Sequence, residues 1–212
     1  MQGPPLCYKV RMHPPPRPDG KIESVITYLE MRAPPAEPPF PPPQEGLTIV
    51  QAVRPTASFY RYLYDTVGEP WLWGDRRKLS PDALSAIIHH PDVDIHVLYV
   101  HGVPAGYAEL DARQKPEIEL AYFGLIPEFV GQKLGPYLLS FAIHTAFRRR
   151  PVSAGSPVGG PSRFWVHTCT LDHPAALALY RRAGFVSYKE EAEVADDPRS
   201  LGLIRWDTIG RE

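Results

Sequence analysis

Residues 119–135, Glu-Leu-Ala-Tyr-Phe-Gly-Leu-Ile-Pro-Glu-Phe-Val-Gly-Gln-Lys-Leu-Gly, leave this chain few ways to fold. The segment reads as an apolar strand interrupted at Gly124, a tight turn at Pro127, and a glycine-bearing loop that opens a helix. Successive backbone N–H groups in such a loop converge on one point, and the free helix N-terminus adds its dipole. The arrangement therefore binds phosphate without any basic side chain. An anionic cofactor is the expectation.

The strand that feeds this loop, Glu117–Leu125, alternates. Ile118, Leu120 and Tyr122 fall on one face, and Glu117, Glu119, Ala121 and Phe123 on the other. A bulge at Gly124 is predicted to splay it from its neighbour. From Gly46 onward strands and helices follow one another. Leu47–Val53 reads as a strand, and Pro55 starts a helix to about Val67. Ser80-Pro81 supplies an N-cap and an N1 proline for a second helix carrying Leu84, Ile87 and Ile88. Ile95–Val100 and Ala105–Asp111 flank His101-Gly102-Val103-Pro104 as a hairpin. Leu134–Arg150 has helical spacing, Ser153–Pro161 is a loop, Phe164–Cys169 a strand, and Pro174–Ala183 a helix stopped by Gly184. Phe185–Tyr188 and Leu201–Trp206 are expected to close the sheet.

With 212 residues, 43% of them hydrophobic, the chain builds one substantial core and not two full-sized domains. The 26 prolines are unevenly placed: half of them fall in the first 45 residues, densest at His13–Pro18 and Ala33–Pro43. Such stretches form stiff, extended connectors rather than folded elements. They are expected to bracket a hairpin of Leu6–Met12 with Glu23–Met31, giving an N-terminal extension over residues 1–45 and a main domain over 46–212. A hairpin of this kind suits a homodimer built by strand exchange across a two-fold axis.

A net charge of −1 and a pI near 6.7 create no field that would draw the chain to nucleic acid or an anionic membrane, and neither is expected as a partner. Cys7 and Cys169 form no CxxC pair, and no leader or long apolar run is evident, so the chain reads as cytoplasmic. The eight histidines match neither HxxxH nor HExxH, and no metal is expected. GxSxG, Walker and GxGxxG motifs are missing too, which argues against hydrolase, kinase and dinucleotide chemistry.

Ala175-Ala176-Leu177-Ala178-Leu179-Tyr180-Arg181-Arg182-Ala183-Gly184-Phe185 is similar to an Ala-x-x-Leu-Tyr-x-x-x-Gly-Phe signature. Val130-Gly131-Gln132-Lys133-Leu134-Gly135 is similar to Gln/Arg-x-x-Gly-x-Gly/Ala, with Val130 in place of Gln or Arg and Lys133 in place of Gly. On these two segments the stretch from Leu47 to Lys189 resembles the GNAT superfamily of acyl-CoA-dependent N-acetyltransferases. The substitution at Lys133 is harmless if its φ is negative.

The resemblance implies an α/β (α+β) fold, a splayed, mostly antiparallel mixed sheet flanked by helices. Acetyl-CoA, as co-substrate and without a metal, would lie between the fourth and fifth core strands. It implies transfer of acetyl to a primary amine of a small molecule or peptide by direct attack. A non-catalytic acyl-CoA sensor on the same scaffold is the alternative. Phe123, Leu125, Val130, Gly131, Gln132, Lys133, Leu134 and Gly135 are the expected coenzyme contacts, the Leu125 N–H polarising the thioester carbonyl. Glu119, or its neighbour Glu117, is the expected base, and Tyr180 the proton donor to the departing thiolate. Trp71, Trp73, Asp75 and Arg76 are candidates to hold the acceptor. Otherwise the tryptophans cap the core, and Asp75 with Arg76 forms a surface ion pair. Asp172 reads as a helix N-cap, and His167 and His173 as structural histidines near the cleft.

Overall fold

The structure, a computed structural model, describes residue 13, residues 15–149 and residues 161–205. Strand β1 (Lys21–Met31) is followed by β2 (Leu47–Gln51), α1 (Ala57–Gly68), α2 (Pro81–Ile88), β3 (Val93–Val100), β4 (Val103–Asp111) and β5 (Glu117–Leu125). Then come α3 (Leu134–Arg148), β6 (Arg163–Cys169), α4 (Ala176–Arg182) and β7 (Val186–Asp196). Helix starts follow local chemistry. The Thr56 hydroxyl accepts from the Phe59 N–H ahead of α1, and the Ser80 hydroxyl accepts from the Ala83 N–H ahead of α2, with Pro81 at its first position. His101 and Gly102, at φ 48° and 84°, form the two-residue turn that pairs Val100 with Val103.

The seven strands form one sheet in the order β2-β3-β4-β5-β6-β1-β7. Only β5 and β6 run parallel, and every other neighbouring pair is antiparallel. Helices α3 and α4 cover one face, burying Leu134, Leu138, Ile143 and Tyr180 against Leu98, Leu120 and Phe164. On the other face, α1 and α2 bring Tyr60, Leu63, Tyr64 and Leu84 onto Ile95, Val97 and Tyr107. Central strands β3 and β4 are thus buried on both sides, which their nearly continuous apolar runs require.

Two expectations about the chain ends are corrected. The Ile26–Glu30 stretch of β1 is paired on one edge with β6 and on the other with β7, leaving no edge for the hairpin partner expected at Leu6–Met12. That partner, like the loop Ser153–Pro161 up to residue 160, lies outside the described residues. The closing strand is one long element ending at Asp196, and residues 201–205 form turns, with Trp206 outside the described residues. Pro198, which lacks an N–H donor, cannot extend the ladder. Asp197 and Arg199, both buried, pair at 2.8 Å and lock the turn in place.

Between β1 and β2 the proline-rich residues 32–46 form no helix or strand. They cross from the sixth position in the sheet to its far edge, and the Phe40 N–H donates to Ser140 Oγ of α3 at 2.8 Å on the way. A polyproline segment of this length reaches roughly 45 Å, about twice the roughly 24 Å spanned by five strand spacings, so the connector is long enough to pass around the helix.

At the middle of the sheet, β4 and β5 approach so closely at Gly106 that a Cβ there would lie 2.4 Å from the Gly124 carbonyl oxygen. Backbone on both sides cannot yield as a side chain would. Gly106→Ala is expected to destabilise by about 3 kcal/mol, the upper end for overpacking. In a scanning calorimeter this corresponds to a fall in Tm of roughly 6–12 °C.

Candidate active site

β5 and β6 lie side by side for only three residue pairs, Glu117–Glu119 against Arg163–Trp165, and then separate. The bulge that marks the separation is at Ala121, not Gly124. Glu109 pairs with Tyr122 and Leu110 with Leu120, leaving Ala121 without a partner. One extra residue reverses the sense of alternation. Before it, Ile118 and Leu120 face α3. After it, Phe123 and Leu125 face α3, while Tyr122 packs against the α1–α2 core. Glu119 therefore shares a face with Tyr122 and not with Phe123 as the unbroken alternation predicts. Gly124 meets a different need, since a Cβ there would sit 2.4 Å from Val67 Cγ1.

The ladder also decides which amides are available. The Ile126 N–H donates to the Ala105 carbonyl at 2.9 Å. By the alternation of an antiparallel pair, the N–H groups of Leu125 and Phe123 then turn away from β4, toward the gap. Below them the chain passes through the Pro127–Phe129 turn into Gly131 at φ 87° and Lys133 at φ 61°. Lys133 caps α3 without any side-chain hydrogen bond, so the first amides of the helix stay open to the loop. The condition under which the Lys133 substitution is harmless, a negative φ, is not met: Lys133 adopts the left-handed conformation that glycine takes without strain.

Both halves of the gap open into one cavity of about 780 Å³. Phe123, Leu125, Val130, Gly131, Lys133, Leu134 and Gly135 all line it. Gln132 does not; its side chain turns back and donates to the Glu128 carbonyl at 3.1 Å. Tyr180 forms the wall on the α4 side, its ring 6.1 Å from that of Phe123, and burial pushes its hydroxyl well above the ordinary tyrosine value. Cys169 also lines the cavity, but burial raises its thiol to about 12 and keeps it protonated and unreactive.

On the opposite face of the sheet, Glu119 Oε1 lies 3.3 Å from His167 Nδ1. The hydrogen bond to Glu119 raises the His167 imidazole above its ordinary value, against the opposing effect of burial. Glu117 is directed elsewhere, pairing with Arg163 at 2.6 Å.

The side where the acceptor is expected is built on a buried ion pair. Arg76 Nη2 donates to Glu109 Oε1 at 2.6 Å, and the Tyr60 hydroxyl donates to Glu109 Oε2 at 2.5 Å. Glu109 is completely buried, and burial pushes its carboxyl up while Arg76 and Tyr60 pull it back. The Arg76 guanidinium lies 5.0 Å from the Tyr122 ring centre, and the Tyr64 hydroxyl accepts from the Arg76 N–H at 3.2 Å. The expected Asp75–Arg76 surface pair is thereby corrected: Asp75 faces Lys78 at 3.6 Å, and Arg76 points inward.

Trp71 packs edge-on against His173 at 5.1 Å, and Trp73 lies 5.2 Å from Tyr122. The Trp73 indole N–H donates to Asp172 Oδ1, while Asp172 Oδ2 accepts from the Thr168 hydroxyl and the Cys169 N–H. Asp172 is thus a tie between the tryptophan loop and the end of β6. It is not the N-cap of α4, a position held by Ala175. Glu109 escaped sequence reasoning, although a carboxylate inside the apolar run Ala105–Leu110 signals a buried cationic partner. Among the described residues, no three His, Cys, Asp or Glu side chains gather as a metal site, and no helix is long and apolar enough to cross a membrane.

Residues 57–185 match a family model described as acetyltransferase (GNAT) family. No curated protein matches the chain. Among solved structures the fold is similar to a GCN5-related N-acetyltransferase from Sphaerobacter thermophilus, with a TM-score of 0.57 and 15% identity over 84% of this chain and 53% of that one. A GCN5-related N-acetyltransferase from Kribbella flavida gives 0.52 and 22% over 84% and 60%. A GNAT-family protein from Novosphingobium aromaticivorans DSM 12444 gives 0.52 and 17% over 86% and 70%. At these identities the likeness is one of fold. The chain spans between half and two thirds of the length of the first structures it resembles.

Two substitutions probe this geometry. Lys133→Gly relieves about 1–2 kcal/mol of left-handed strain and costs about 0.5–1 kcal/mol in unfolded-chain entropy, so a small gain in urea midpoint is expected. Arg76→Met leaves Glu109 buried without its counter-charge, and urea unfolding is expected to show a loss of about 3–5 kcal/mol.

Proposed function

The chain belongs to the acetyltransferase (GNAT) family, and from that premise we propose that it moves an acetyl group from acetyl-CoA to a primary amine of a small molecule or peptide by direct attack. One observation carries the reading. The gap between β5 and β6 has open amides and Tyr180 on its α3–α4 side and Glu119 on its α1–α2 side, so donor and acceptor can meet through the sheet.

Each residue has a chemical task. The amides at the start of α3 and around Gly131 hold the diphosphate, where helix dipole and converging N–H groups favour negative charge. Lys133, at the mouth of the loop, adds a cation to the same anion. The Leu125 N–H meets the thioester oxygen as it gains charge, a contribution of about 3 kcal/mol for one such donor. Glu119 accepts the amine proton. Tyr180, protonated because it is buried, gives its proton to the thiolate as the carbon–sulfur bond breaks and recovers one from the second N–H of the attacking nitrogen, so that this proton ends on the coenzyme A thiol. The acceptor enters past Trp71, Trp73 and Asp75, on a floor held rigid by Arg76 and Glu109.

Calorimetric titration with acetyl-CoA and release of free CoA in the presence of an amine panel test the proposal together. Tyr180→Phe and Glu119→Gln are each expected to lower kcat by about 10²-fold or more while leaving the heat of acetyl-CoA binding unchanged. Binding with no turnover of any amine would instead make the protein a coenzyme sensor.

A further inference from the structure

His167 is the first β6 side chain on the Glu119 face past the point where β5 and β6 part, and it differs from Glu119 in one respect. Both line the cavity, and the Glu119 side chain is 22% exposed against 45% for His167, so the imidazole is the more open end of the pair. The imidazole is held from two sides, by the Tyr28 ring of β1 at 5.9 Å and by the Trp165 ring of β6 at 6.1 Å. An exposed ion pair between loose side chains has no such clamp and contributes little.

The charged groups around the imidazole favour a proton there. Glu119 of β5 contacts it, and the charges of Asp172 in the turn after β6 and Asp75 in the tryptophan loop act on it in the same sense. Tyr28 is the titratable group on the β1 side, with Lys189 of β7 lying 4.9 Å from the centre of the tyrosine ring.

An amine reaches the site as an ammonium ion and loses two protons during transfer. One ends on the coenzyme A thiol, and the other must leave the protein. An ordinary imidazole binds a proton about 100-fold more tightly than an ordinary carboxyl, so a proton taken up by Glu119 passes to His167 favourably.

We propose that His167 is the proton exit of the transfer site. The ammonium gives its proton to Glu119. The Glu119 O–H bond then breaks as the His167 Nδ1–H bond forms, and the ring releases its Nε2 proton to solvent. The inference rests on the acetyl-transfer reading and adds to it a relay residue that acts through Glu119. Because the relay needs a neutral ring, turnover rises with pH through the raised imidazole value, and the acid limb of the profile lies above the ordinary pH 6.5 of histidine.

The test compares wild type, His167→Gln and His167→Ala in CoA release across pH, with and without added imidazole, alongside calorimetry with acetyl-CoA. The expected result is a fall in turnover at pH 7 of about 10- to 100-fold in both variants. The acid limb should be displaced and the heat of acetyl-CoA binding unchanged. In His167→Ala, imidazole should restore activity. Turnover within twofold of wild type with the same acid limb overturns the inference, as does a loss that imidazole does not restore in protein that still binds the coenzyme. A wild type that turns over no amine overturns the transfer reading and the relay together, whereas an active wild type with neutral variants overturns the relay alone. Should both variants fail to fold, NMR titration of His167 in Glu119→Gln decides. A lowered imidazole midpoint supports the coupled pair, and an unchanged one overturns it.

Discussion

Backbone pairing between β5 and β6 ends after three residues, and the rest of the site depends on that ending. In a continuous sheet the N–H groups of Phe123 and Leu125 would be consumed by the neighbouring strand. Here the bulge at Ala121 turns β5 away and leaves these donors facing a cavity. Buried backbone donors without partners are costly, so an arrangement of this kind persists where a ligand or water supplies the missing acceptor. The same bulge reverses the faces of β5, placing Glu119 and Phe123 on opposite sides of the sheet. The proposed base and the proposed coenzyme wall are separated by one strand's thickness for this reason.

The proposed acceptor side has its own foundation. Arg76 and Glu109 are charges taken out of water, and their stability comes from the 2.6 Å contact, the Tyr60 hydroxyl and the faces of Tyr122 and Tyr64. Pairs like this one seldom add net stability over well-packed apolar residues, but they fix geometry. The 3₁₀ turn Arg76–Lys78 cannot shift without exposing a bare carboxylate in the core. Trp73, Asp75 and the tie from the Trp73 indole to Asp172 inherit that rigidity.

β1 belongs to the working part of the molecule although it comes from the proline-rich end of the chain. It lies between β6 and β7, contributes Ile22, Ser24 and Ile26 to the cavity, and presents Tyr28 to His167. The stiff connector that follows carries the chain around α3 to the far edge of the sheet. Because proline cannot donate to a ladder, that connector cannot add itself to an open strand edge on the way.

Much of the core architecture is written locally. The N-caps at Thr56 and Ser80, the His101-Gly102 turn, the β5–loop–α3 segment and the Tyr180 helix depend on residues within a few positions of one another, so the sequence determines them unaided. The splayed sheet and the family follow from those pieces. Tertiary structure alone decided where β1 inserts, since strand pairing between distant segments leaves no periodic trace. It also placed the bulge at Ala121, because a single unpaired residue looks like any other until the opposite strand is known. The partnership of Glu109 with Arg76, and of Glu119 with His167, joins residues 33 and 48 positions apart in the chain. Lys133 takes its left-handed conformation at the turn from Gly131 into α3, a demand set by the path of the loop between β5 and the helix and not by lysine.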